Sequence, residues 1–337
     1  MSAKNWPPYE LLDDRVEAAE ARTRKLARIY HVSQEQAWDG RALLAQLIER
    51  HGGVHVKPEQ QEALGKILSI LLWGELAAWS ISAELAEKLD DVDAKMAATS
   101  QVFDEARHFY VLRDYVRAAG IELPKLGGLS KKLLTEMLDT HDLARKLIGM
   151  QLLVENIALV LFKQIGDAKI EPVLTDLLPY YEKDEARHVG LGVLYLPKLM
   201  QGLGRVGRAR MWLFQLEVNL LSLGSGLNLR EDFHVLGLDP RAMTDYSFKL
   251  QRDVFRRIRQ EDDRAEGGDG EEHTRAKVAE QGGDPKLKGM FRMSRQGQQR
   301  FTGFLHPGKP LEELEPTHRF FLGGLIKAAA ATNRLFS

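Results

Sequence analysis

The chain has 337 residues, and its 47 Lys and Arg nearly balance 48 Asp and Glu, for a formal net charge of −1. That balance gives no electrostatic ground for a nucleic-acid or anionic-membrane partner, while 44% hydrophobic residues supply a sizeable core without staples. Cysteine is absent, which excludes disulfides, thiolate-held zinc, iron–sulfur clusters and a thiol nucleophile, and fits a reducing, cytoplasmic compartment.

The first residues lack the apolar stretch of a secretory leader, so none is expected. A charged helix is predicted from about Tyr9 to Tyr30. Ser33 reads as the N-cap of the next helix, with Gln36 completing a capping box and Gly52–Gly53 as its stop. Four longer helices follow. The first covers Glu59 to Leu89 and breaks at Asp90–Asp91. The second runs from Val92 to Ala119, stopped by Gly120. Ser130 is placed as the cap of the third, which extends to about Ile165, with Gly166 as its stop. The fourth starts near Ile170, tolerates Pro172 in its first turn and ends near Leu196, before Pro197. Further helices are predicted near Val206–Leu223, Pro240–Gln260 and His318–Phe336. The charged, glycine-rich stretch from Glu261 to Gly289 reads as an exposed loop. Strand alternation is missing, so the fold class is all-α. The longest apolar run, Ile157 to Phe162, falls far short of the ~20 residues that span a bilayer, so no membrane span is expected.

The chemistry lies in a repeat. DEARH occurs at Asp104–His108 and again at Asp184–His188, 80 residues later. Glu75 and Glu155, each in an otherwise apolar helix, precede the two copies at the same spacing. Glu75 and Glu105 stand 15 residues either side of Asp90, where the chain turns. At 1.5 Å per residue both lie about 22 Å from that turn, at one height in an antiparallel pair. Glu155 and Glu185 are symmetric about Ile170 in the same way. Within each DEARH the Glu and His are three apart and share a helix face. Two packed hairpins then bring four carboxylates and two imidazoles to one level. Buried without compensation, such a set is very costly, and two divalent cations would neutralise it. An oxygen-rich set with two imidazoles and no thiolate suits iron or manganese better than zinc. A lone Glu-x-x-His is usually a solvated helix face, and the duplication makes that reading insufficient here. Glu182 reads as a surface charge, and His141 lies too far from Glu155 to join the set.

On these residues the chain resembles the ferritin-like superfamily of carboxylate-bridged diiron proteins, over about residues 60 to 200. The resemblance implies a four-helix bundle at 60–200, with N-terminal helices at 1–59 packed on it. It leaves 201–337 as a helical extension, the whole forming one continuous domain. It implies Glu75, Glu105, His108, Glu155, Glu185 and His188 as ligands of two Fe ions, or of one Mn and one Fe. Glu105 and Glu185 would bridge, and Glu75 and Glu155 would be terminal. The Asp-Glu-x-Arg-His form is similar to that of bacterial diiron monooxygenase hydroxylase subunits. There Asp104 and Asp184 would hold the ligand histidines, and Arg107 and Arg187 would offset their charge. No branch fits throughout. Ribonucleotide reductase subunits carry a tyrosine where this chain has Leu112. Rubrerythrin-type peroxidases need cysteines. Arylamine N-oxygenases carry a histidine where this chain has Tyr181, and toluene- and methane-type hydroxylases a threonine at the place of Leu159.

The resemblance implies a dioxygen-dependent oxidoreductase of monooxygenase or oxidase type that hydroxylates, desaturates or N-oxygenates a small organic substrate. Trp79, Gln151, Leu159, Tyr181 and Val189, one turn from ligands, are candidates to line its pocket. No flavin or haem motif is recognisable, so an external electron donor, a reductase or ferredoxin, is expected. The apolar C-terminal segment suggests a homodimer. Rival readings are a ferroxidase, a Mn/Fe ligand-binding oxidase and a metal-free scaffold. The long extension beyond the bundle favours a walled-off substrate pocket over iron storage.

Overall fold

The computed structural model describes residues 21–201, 203–265 and 295–336, and its described elements are helices. They are α1 (Ala21–Glu35), α2 (Gly40–His51), α3 (Pro58–Lys88), α4 (Val92–Ala118), α5 (Gly128–Asp139) and α6 (Leu143–Ala168). Then come α7 (Pro172–Gln201), α8 (Arg205–Asn228), α9 (Arg230–Val235), α10 (Pro240–Ala265), α11 (Arg295–Leu305) and α12 (Pro316–Phe336). The hairpins α3–α4 and α6–α7 form a four-helix body. α1 and α2 pack on α4 and α7, while α5, α8 and α12 pack together and α10 covers α6 and α7.

The apolar core has two halves. One contains Ala77 to Leu85 of α3, Ala94 to Ala98 of α4, Leu147 to Leu153 of α6 and Val189 to Leu196 of α7. The other contains Ala63 to Leu72, Val111 to Val116, Val160 to Ile165 and Val173 to Tyr181 of the same four helices. In each helix the residues of the repeated motif fall in the gap between the halves. The α3–α4 turn, with Leu89, belongs to the first half, and the α6–α7 turn, with Ile170, to the second. The hairpins therefore enter the bundle from opposite ends.

Several predicted boundaries move, each for a local reason. α1 continues past Tyr30, and the Tyr9 end of that expectation lies outside the described residues, as does 266–289 of the expected loop. Ser33 is no cap. It lies inside α1, buried, and its hydroxyl donates to Asp104 Oδ2 at 3.1 Å. Asp39 caps α2 instead, accepting from the amides of Arg41 and Ala42 at 2.9 and 3.0 Å. Ser130 is likewise no cap. It lies within α5, and its hydroxyl meets Ser225 Oγ at 2.6 Å. The third long helix is two helices, α5 and α6, because Asp142 captures the amides of Ala144 and Arg145 and starts α6 afresh. Buried Lys146 then reaches the Met137 and Leu138 carbonyls at the end of α5 and pairs with Glu84 at 2.8 Å. α6 also runs beyond Gly166 to Ala168, where Lys169 takes the left-handed conformation. Pro197 does not stop α7. Leu194, Tyr195, Leu196 and Pro197 are all buried, and Tyr195 and Lys198 both bond Asp90 across the bundle. Helices α9 and α11 are additional to the predicted ones.

α6 contains a wider π-helical stretch, Leu147–Val154, immediately before Glu155. It lies close to α7 because Gly192 faces it without a side chain. Helices α3 and α6 are each long and apolar enough, by length and composition, to cross a membrane. Here 61% and 67% of those stretches are buried inside the bundle, where each carries one motif carboxylate.

A Cβ at Gly192 would come within 2.8 Å of Leu152 Cδ2 and 2.9 Å of Gln151 Cβ. Gly192→Val is expected to lower unfolding free energy by about 1–3 kcal/mol in urea denaturation. Gly166→Ala, where nothing lies within 4 Å, is expected to cost nothing.

Candidate metal centre

The six residues singled out by the repeat come together between the two core halves, each no more than 5% exposed. They form two overlapping groups whose ligating atoms lie within 4.8 Å of one another. One is Glu75, Glu105, His108 and Glu185; the other is Glu105, Glu155, Glu185 and His188. Glu105 and Glu185 belong to both. His108 Nδ1 lies 3.3 Å from Glu75 Oε2 and 3.1 Å from Glu185 Oε1. His188 Nδ1 lies 3.0 Å from Glu105 Oε1 and 2.9 Å from Glu185 Oε2. Both histidines thus turn Nδ1 inward. Glu182 and His141 are outside both groups.

Burial sets the electrostatics. It pushes the Glu75 and Glu155 carboxyls well above the usual carboxylate range, and neighbouring carboxylates add to the effect. Burial opposes ionisation of Glu105 too, but His188 and His108 hold it below that range. Both histidines are raised well above their ordinary value, against burial, by the carboxylates around them. Protons and imidazolium charge thus do part of the neutralising that a cation would do, and metal loading would release those protons.

Each histidine's outer nitrogen meets an aspartate of the other repeat. His108 Nε2 lies 3.0 Å from Asp184 Oδ2, and His188 Nε2 lies 3.4 Å from Asp104 Oδ2. Arg107 Nη2 bridges the two aspartates at 2.6 and 2.8 Å. Arg187 reaches the same pair from the other side, bonding Asp184 and lying 3.3 Å from Asp104. His108 and its neighbours, with Trp38 and Arg187, hold Asp184 below the usual range despite burial. Trp38, from the α1–α2 connection, donates its indole N–H to Asp184 Oδ2 at 2.9 Å and carries the Arg107 guanidinium 4.6 Å above its ring. Trp38 and Ser33 have no periodic signature: Trp38 is absent from the sequence reading, and Ser33 enters it only as a cap. Gln101 was also missed, although it stands one turn before Glu105 on the same face. Its amide nitrogen donates to Glu105 Oε1 at 3.2 Å and to Glu155 Oε1 at 3.1 Å.

Two cations fit this donor set. Glu105 Oε2, Glu185 Oε1 and His108 Nδ1 are buried and make no hydrogen bond, and the two oxygens face His108 Nδ1 at 3.7 and 3.1 Å. Orphaned polar atoms of this kind in a dry interior are rare, and a cation would satisfy them together.

A largely apolar cavity of about 220 Å³ adjoins the centre on the side away from α1 and α2. Glu75 and Glu155 form part of its wall, with Ala78 and Ala158 beside them, while α8 and α10 close its outer side. None of the five residues expected to line a pocket borders this cavity. Trp79 projects outward against Phe109, and Val189 and Leu159 pack in the core. Tyr181 stacks on His108 at 4.3 Å, and Gln151 bonds Gln101. One turn from a ligand places a side chain near the ligand, but the space was made by helices whose docking the repeat does not encode. At the far end His306 lies 3.1 Å from Thr244.

No protein-family model matches the chain, and no curated protein matches it. Solved structures do. A protein with aldehyde deformylating oxidase activity from Synechococcus superposes with a TM-score of 0.52 at 19% identity, over 66% of this chain and 98% of its own. An R2-like ligand-binding oxidase with a Mn/Fe cofactor gives 0.57 at 17% identity, over 74% and 98%. A point variant with an Fe/Fe cofactor gives 0.55 at 16%, over 74% and 99%. These are ferritin-like helical-bundle proteins, and the chain has that fold.

Two measurements probe the surroundings of the centre. Arg107→Met, which leaves two buried aspartates short of a partner, is expected to cost about 3–5 kcal/mol in urea unfolding. Arg187→Met should cost clearly less, because that side chain is 10% exposed against 3% for Arg107. Burial, and then Arg230, push His306 down to about 4 from an ordinary 6.5. The unfolded chain therefore takes up its proton first, and this contribution to stability is full above pH 6.5 and lost as pH falls towards 4. The thermal midpoint should drop across that interval, and less steeply in His306→Gln.

Proposed function

We propose that the protein is a dioxygen-dependent oxidoreductase that holds two irons, or one manganese and one iron, and oxidises an apolar organic substrate. The observation that carries this reading is that Glu75 and Glu155, the outer carboxylates of the centre, are also wall residues of the apolar cavity. A substrate seated there meets the centre directly.

When bound, the cations would supply the redox chemistry that activates dioxygen. Glu105 and Glu185, common to both groups, would be shared between the cations. Glu75 and His108 would complete one position, and Glu155 and His188 the other. Asp184 and Asp104, by fixing the outer nitrogens of the histidines, keep each inner nitrogen turned to its cation. The apolar walls keep water from the reacting face and orient the substrate by shape, with few polar groups to grip it. Hydroxylation, desaturation and N-oxygenation all fit a substrate presented in this way. The electrons would come from a separate reductase or ferredoxin. The cations of the structural neighbours support the choice of iron and manganese. The cavity, closed by helices beyond the bundle, favours substrate oxidation over iron storage.

Metal content per chain, measured by mass spectrometry on protein from iron- and manganese-supplemented cells, tests the reading. About two cations per chain are expected, with loss in Glu105→Ala. Ala158→Trp, which fills the cavity beside Glu155, should keep the metal and abolish the stimulation of oxygen uptake by apolar substrates. Wild-type protein that holds no metal and cannot be reconstituted would overturn it.

A further inference from the structure

The two repeats match at every residue of the Glu-x28-Asp-Glu-Ala-Arg-His motif, yet their immediate surroundings differ. Gln101 and its counterpart 80 residues on, Tyr181, each stand one turn before the shared glutamate of their helix. Gln151, one turn before Glu155, has Leu71 as its counterpart before Glu75. The two glutamines are side by side: Gln151 Nε2 donates to Gln101 Oε1 at 3.4 Å, and both are fully buried. Through that contact the Gln101 amide is held so that its nitrogen spans Glu105 and Glu155. Among the described residues no side-chain amide supports Glu75 in this way. Near it stand Leu71 and the Tyr181 ring, which lies on His108 and donates its hydroxyl to the His108 carbonyl at 2.8 Å.

The same asymmetry shows in which atoms are left over. Glu105 Oε2 and Glu185 Oε1, which make no hydrogen bond, lie 3.7 and 3.1 Å from His108 Nδ1 and so face the Glu75–His108 position. At the other position His188 Nδ1 meets Glu185 Oε2, and Gln101 meets Glu155. One position is an open set of donors, while the other is a set already ordered by hydrogen bonds.

We infer that Gln101 is a positioning residue for one of the two cations only: by holding Glu155 against Glu105 it sets the affinity of the Glu155–His188 position and leaves the Glu75–His108 position unaffected. An amide nitrogen bonded to one oxygen of a carboxylate fixes the plane of that carboxylate and leaves its second oxygen for a cation. In a dry interior it also favours the ionised form that ligates. Partners of this kind are typically worth a factor of 10–100 in metal affinity. The inference rests on the dinuclear reading above and adds that the two positions are unequal because of named residues outside the ligand set.

The test is anaerobic calorimetric titration of metal-free, full-length protein with Mn(II), with electron paramagnetic resonance of the bound ion as a second signal. Glu155→Ala identifies the binding step that belongs to the Glu155–His188 position. Gln101→Met, nearly the same shape without the donor, is expected to weaken that same step about 10-fold or more and to leave the other within about two-fold. Gln151→Met, which leaves Gln101 in place but frees its oxygen, should shift the same step by a smaller factor, and it stands in if Gln101→Met does not fold. Equal weakening of both steps, no change in either, or a shift confined to the Glu75–His108 step would each overturn the inference. Wild-type protein that takes up fewer than two Mn(II) would instead overturn the dinuclear reading itself.

Discussion

Four carboxylates and two histidines share one buried layer of this molecule, and the rest of the structure is arranged around the cost of keeping them there. The layer cuts the apolar core in two, so the bundle is held by a separate hydrophobic half above and below it. Neither half alone explains the height at which the helices register. That register follows from the requirement that Glu75, Glu105, Glu155 and Glu185 meet, since a displacement of one turn would strand a carboxylate among leucines with nothing to offset it.

The compensation has two sides. Behind the histidines, two aspartates and two arginines form a compact charged lattice, and α1 and α2 close it with Ser33 and Trp38. On the other side the layer is faced by the largely apolar cavity. The N-terminal helices thus seal the charged side, while α8 and α10 shape the apolar one. The centre is polar where it must be held and apolar where a substrate would reach it. This division gives the segments outside the bundle a chemical purpose that their own sequences do not announce.

What could be read from the chain follows the same division. The repeat, its 80-residue offset and the three-residue spacing within DEARH are enough to put Glu75, Glu105, His108, Glu155, Glu185 and His188 at one level, because helix geometry converts sequence distance directly into height. Asp104, Asp184, Arg107 and Arg187 were legible through the same duplication. Trp38 and Ser33 were not, because each acts across the fold on a residue more than 70 positions away. A serine followed three residues later by glutamine makes a local cap only if nothing more demanding claims its hydroxyl, and at Ser33 Asp104 does. The break at Asp142 is not legible because apolar residues at helical spacing stand on both sides of it, and only the structure shows Asp142 accepting from Ala144 and Arg145. The cavity lay beyond reach for a different reason. Its walls come from α3, α5, α6, α8, α9 and α10, and no spacing within one helix says how six helices dock.

The crossing of the aspartates has one more consequence. His108 leans on Asp184 and His188 on Asp104, so neither hairpin contains the acceptor that its own histidine uses. A single hairpin would carry an imidazole without its orienting group and an aspartate without its donor. It could complete the arrangement only by docking against a second copy of itself, turned end for end, as α3–α4 and α6–α7 are turned here. The centre of the 337-residue chain is thus built from two hairpins that carry the same motif and exchange acceptors across it. Because both hairpins lie in one polypeptide, equivalent positions can hold different residues, as Gln101 and Tyr181 do.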